Sequence, residues 1–158
     1  MAPPLVTRRS VLGGVALLAA TLGSNRTTPA TSDARSLTLV AAPGRSLVAG
    51  VPHPDTAVWC FNRQVPGPEI RVRQGERIHV RVENRLPEET TVHWHGIRVP
   101  NAMDGVPHLT QKPIAPGETF DYEFTCPDAG TFWYHPHQRS HEQVERGLSG
   151  AFIVEEGT

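Results

Sequence analysis

Ile70-Arg71-Val72-Arg73 and Arg77-Ile78-His79-Val80-Arg81-Val82 alternate apolar and polar side chains one for one. Successive side chains of an extended strand point to opposite faces. This period of two therefore sets Ile70, Val72, Ile78, Val80 and Val82 against a core and turns Arg71, Arg73, Arg77, His79 and Arg81 to water. Outward from that stretch the pattern stays strand, turn, strand. Ser36–Ala41, Ala57–Asn62, Thr90–Gly96, Thr119–Thr125, Gly130–Pro136 and Gly150–Glu155 read as further strands. Pro66-Gly67-Pro68 and Pro127-Asp128-Ala129-Gly130 are turns. Fifteen Pro and fourteen Gly in 158 residues fit that many turns. Only Glu142–Leu148 predicts a short turn of helix, and no internal repeat is present. The expectation is an all-β fold, an antiparallel sandwich from about residue 36 to 156, long enough to bury its own core.

The N-terminal 34 residues are of another kind. Thr7-Arg8-Arg9-Ser10-Val11-Leu12 is a twin-arginine run, followed by a short apolar stretch to Leu22 and then a polar Ser/Thr/Pro-rich segment. That order of basic, apolar and small polar regions predicts a twin-arginine export signal and linker over residues 1–34, with Ser32-Asp33-Ala34 as an expected cleavage position. The apolar run is short for a membrane span. Residues 35–158 form the expected domain, placed in the periplasm or outside the cell. Formal net charge is −1, and no Lys/Arg cluster lies beyond the N-terminus, which argues against a nucleic-acid partner. Two cysteines, Cys60 and Cys126, do not make a disulfide scaffold. An oxidising compartment permits one bridge, but two separate buried thiols are the preferred reading.

The chemistry sits in His93-Trp94-His95-Gly96 and Trp133-Tyr134-His135-Pro136-His137. Each is His-x-His on an expected strand, so both imidazoles of a pair share a face while Trp94 and Pro136 take the other. Two such pairs on neighbouring strands bring four imidazoles to one edge of the sandwich. Four neutral imidazoles without thiolate or carboxylate favour copper or zinc. His53, His79, His108 and His141 read as surface residues. A metal-bound imidazole donates its second N–H to a carboxylate, carbonyl or water. Asp104 and Asp128 are near enough in sequence for that role, although a turn role is the simpler reading of each. Aromatic Trp94, Phe132, Trp133 and Tyr134 should pack around the site. The loop Ile97–Gly117 is long for a compact domain, as functional loops often are.

Read together, several runs resemble the first domain of multicopper oxidases, the family of laccases, ascorbate oxidases and bacterial copper-tolerance oxidases. They are the two histidine motifs, Pro100-Asn101-Ala102-Met103-Asp104-Gly105-Val106-Pro107, Pro116-Gly117, and Gly147-Leu148-Ser149-Gly150-Ala151-Phe152-Ile153-Val154. The resemblance covers about residues 55–156. It implies a cupredoxin-like Greek-key sandwich and copper as cofactor. It implies that His93 binds a type 2 copper, that His95 and His135 share one type 3 copper, and that His137 binds the other. It further implies oxidation of a reducing substrate, of unspecified kind, coupled to reduction of dioxygen to water. The family's His-x-x-His-x-His and His-Cys-His motifs do not occur in these residues, so no type 1 site is expected here. This chain then supplies four of the eight histidines of a trinuclear cluster, with C-terminal cupredoxin domains as the missing partner. On that reading the 158 residues are an incomplete, inactive fragment of the enzyme. The alternative is an exported copper-binding carrier without catalysis.

Overall fold

A computed structural model describes residues 34–157. The expected export segment lies outside the described residues, apart from Ala34. Among these residues eight strands form two four-stranded sheets: β1 (Arg35–Ser46), β2 (Thr56–Phe61), β3 (Gly67–Arg73), β4 (Arg77–Asn84), β5 (His93–His95), β6 (Thr119–Thr125), β7 (Gly130–His135) and β8 (Gly150–Glu155). The first sheet runs β2-β1-β4-β6 and the second β3-β8-β7-β5. Among the described residues the one α-helix is the short α1 (Ser140–Glu145), and Asn101–Met103 forms a 3₁₀ turn. No helix among the described residues is long and apolar enough to cross a membrane.

The alternation in the sequence is the alternation of burial. Ile78, Val80 and Val82 of β4 are fully buried, and Ile70 and Val72 of β3 are nearly so. They meet Leu39, Tyr122 and Phe124 from the first sheet and Trp94, Tyr134, Phe152 and Val154 from the second. Each such side chain, taken out of water, contributes about 1.5–3 kcal/mol. Trp94 is completely buried, with Tyr122 at 5.3 Å, Phe124 at 5.1 Å, Phe152 at 5.9 Å and Tyr134 at 6.2 Å between ring centroids. The Tyr134 hydroxyl donates to the Pro68 carbonyl at 2.7 Å. It reaches there because Gly150 and Gly67 leave room; a Cβ on Gly150 would lie 2.3 Å from that hydroxyl oxygen.

Two expectations need correction. The sandwich is not purely antiparallel: β1 pairs with β4 and β3 with β8 in parallel. Parallel neighbours need a crossover, which β2 and β3 supply between β1 and β4. Alternation reports which face of a strand is buried, not the direction of its neighbour. The strand expected over residues 90–96 is only His93–His95. Thr90 bridges Ile114, and the Val92 N–H donates to the Tyr122 hydroxyl at 3.0 Å instead of to a strand. Cys60 and Cys126 are separate buried thiols, as preferred, and burial pushes the Cys126 thiol up to about 12.

Candidate metal centre

β5 is the edge strand of the second sheet and pairs antiparallel with β7. The register sets His93 opposite His135, Trp94 opposite Tyr134, and His95 opposite Trp133. Trp94 and Tyr134 fill the core, so strand alternation turns His93, His95, Trp133 and His135 to the outward face. Three ring nitrogens, one each from His93, His95 and His135, lie within 4.8 Å of one another. His137 stands to one side, its ring centroid 5.1 Å from that of His93 and 6.2 Å from that of His135. It lies outside β7, which ends at His135. Pro136 has no N–H to continue the ladder. The His137 N–H donates to the Thr91 hydroxyl at 3.1 Å.

Hydrogen bonds decide which nitrogens remain available. His93 Nδ1 is 2.7 Å from the Asp104 carbonyl oxygen, and His135 Nδ1 is 2.9 Å from the Pro136 carbonyl oxygen. A carbonyl only accepts, so both Nδ1 atoms carry hydrogen and both Nε2 atoms keep a lone pair. His135 Nε2 then accepts from His95 Nδ1–H at 3.2 Å, a proton that a metal ion would replace. Burial holds the His135 imidazole below its ordinary pKa, and the neighbouring imidazoles add to that effect against an opposing bond to Pro136. His135 is neutral near pH 7, as a ligand must be. Trp133 stacks on it with ring centroids 4.0 Å apart. The donor set is all imidazole nitrogen, which fits a late first-row metal such as copper or zinc.

Asp104 is more than the turn residue that its sequence suggested. Besides its carbonyl, its carboxylate stands 3.3 Å from His93 Nδ1. Gly105 makes this approach possible. Its φ is +76°, and a Cβ there would lie 1.9 Å from the Val92 carbonyl oxygen. The loop therefore presses its backbone onto the residue before His93. Asp128, by contrast, holds Arg98 through two hydrogen bonds of 2.6 and 2.8 Å and makes no hydrogen bond or ion pair with a histidine among the described residues. His53, His108 and His141 are exposed, as expected. His79 is partly buried, with both ring nitrogens engaged by Ser36 and Asp121.

The family model described as multicopper oxidase matches residues 46–158. The chain belongs to the multicopper oxidase family. Among curated relatives, copper resistance protein A of Escherichia coli is 44% identical over 95 residues, covering 60% of this chain and 15% of its own length. The multicopper oxidase MmcO of Mycobacterium tuberculosis is 36% identical over 146 residues, covering 92% of this chain and 28% of its own. The crystal structure of a multicopper oxidase from Pseudomonas thermotolerans superposes with a TM-score of 0.74 and 50% identity, over 78% of this chain and 30% of that one. The chain thus spans less than a third of the length of each of these relatives. Copper is the metal that the family implies, and the all-imidazole donor set is compatible with it.

Proposed function

We propose that this chain contributes His93, His95, His135 and His137 to the copper centre of an exported oxidase, supplying half the ligands of a three-copper cluster. The observation that carries the reading is the convergence of His93, His95 and His135 nitrogens within 4.8 Å, with two tautomers fixed by carbonyls. His95 and His135 face each other at 3.2 Å and are proposed to share one type 3 copper. His93, tied to Asp104, takes the type 2 role, and His137, set apart, serves the other type 3 ion. Bound copper supplies the electron transfers by which a reducing substrate is oxidised and dioxygen becomes water.

The residues perform simpler tasks. The Asp104 and Pro136 carbonyls orient two rings and hold a proton on each Nδ1. Trp133 covers one face of His135 and limits its motion. The buried core below, centred on Trp94, anchors β5 against the sandwich. The opposing half of the cluster and the substrate-side copper belong to further cupredoxin domains. Export by the twin-arginine route places the domain in the periplasm or outside the cell.

The test is copper titration of the 158-residue chain, followed by oxygen uptake with a phenolic donor. Uptake of Cu(II) without steady oxygen consumption is expected, because positioning of all the metals is most of what the protein contributes. A chain that binds no copper would contradict the ligand reading. Steady donor-dependent oxygen consumption would contradict the half-site reading.

A further inference from the structure

We infer that Gln143 and Thr91 form a positioning clamp that sets His137 against the histidines of β5; the inference rests on the copper reading of the site. Gln143 is the one buried residue of α1 and is fully enclosed. Both polar atoms of its side-chain amide reach the segment that leads into β5. Its Oε1 accepts from the Thr90 hydroxyl at 2.7 Å. Its Nε2 donates to Glu88 Oε1 at 3.0 Å and to the Glu89 carbonyl at 2.8 Å. The next residue, Thr91, accepts from the His137 N–H. Glu88 through Thr91 are thus fastened to the chain on the far side of His135-Pro136-His137, two residues before His93.

The arrangement matters because β5 is held by the buried Trp94 and by one ladder, and that ladder stops short of His137. The strand is three residues long, lies at a sheet edge and has a ladder only to β7. The β5–β7 register fixes His93 and His95 against His135, but no strand pairing fixes them against His137. Thr91 and Gln143 provide that constraint. Arg139 strengthens it by bridging Glu88 at 3.0 Å and pairing with Glu142. Neither side chain hydrogen-bonds to a histidine ring nitrogen, so their effect is on spacing.

The experiment compares Gln143→Met, Thr91→Val and Thr91→Ser with the parent 158-residue chain. Val154→Ala, a core variant in β8, serves as a stability control. In the metal-free chain, Thr91→Val and Gln143→Met should speed hydrogen exchange at the His137 amide, while Thr91→Ser keeps it slow. With Cu(II), Gln143→Met and Thr91→Val should lose about tenfold in affinity, in the range found for groups that orient ligands, and change the electron paramagnetic resonance spectrum. Thr91→Ser should retain both. Val154→Ala should lower Tm without changing the copper spectrum. Unaltered His137 exchange, or unaltered affinity and spectrum, in Gln143→Met and Thr91→Val would overturn the clamp. A parent chain that takes up no copper overturns the copper reading instead, and the exchange measurement separates the two failures.

Discussion

The outward face of β4 and the outward face of β5–β7 both carry histidine, with opposite results. On β4, His79 Nδ1 meets the Ser36 hydroxyl at 3.1 Å and Nε2 meets Asp121 at 3.0 Å, so both ring nitrogens are spent. On β5–β7, His93 and His135 each spend Nδ1 on a backbone carbonyl, and His135 Nε2 meets only another imidazole, that of His95. The surroundings differ as well. His79 lies in a row of exposed cross-strand ion pairs, Arg77 with Glu123 and Arg81 with Asp121. Among the described residues the three converging nitrogens form a group of imidazoles alone, and the Asp104 carboxylate stands on the Nδ1 side of His93 at 3.3 Å. A histidine on a strand becomes a ligand through what occupies its second nitrogen, not through its place in the alternation.

The largest expected effect is on the metal. His95→Ala with His135→Ala should raise the Cu(II) dissociation constant by more than about 100-fold, beyond the loss typical of orienting groups. His79→Ala should leave it unchanged; competitive titration against a chelator reads both. Gly105→Ala comes next. Its positive φ and its approach to Val92 should cost about 2–5 kcal/mol in urea unfolding, from left-handed strain plus overpacking. Tyr134→Phe should cost about 1–2 kcal/mol, because the Pro68 carbonyl loses its hydroxyl donor.

The smallest effect belongs to the β4 face. Hydrogen bonding to Arg81 holds the Asp121 carboxyl below its ordinary pKa. That stability is present above the ordinary carboxylate pKa and is lost as pH falls through the folded value. Exposure and salt screening limit it to under about 1 kcal/mol. Asp121→Asn should therefore flatten the acid limb of the stability curve slightly and leave copper affinity alone. A large copper effect from Asp121→Asn would break the contrast between the two faces.

Which side chains face the core was legible in the sequence, because a period of two is local. Ile78, Val80 and Val82 needed no partner to be identified. The pairing of His93 with His135 was legible in outline, since two His-x-His runs on strands must share faces. The parallel neighbours of β1 and β3 were not, because crossovers are long-range. The place of His137 off the strand was signalled by Pro136, yet alternation alone put it on β7. The support of the site left no pattern at all. Asp104 acts on His93 chiefly through its carbonyl, which every residue has, and Gln143 is a polar residue on a six-residue helix whose partners lie more than fifty positions away.

The most direct test is pulsed electron paramagnetic resonance of the Cu(II)-loaded chain. Nitrogen modulation from coordinated imidazole is expected in the parent and in His79→Ala, and its loss or collapse in the His95→Ala, His135→Ala double variant. A spectrum that survives the double variant intact, or vanishes with His79, would contradict the assignment of the copper centre to the β5–β7 face.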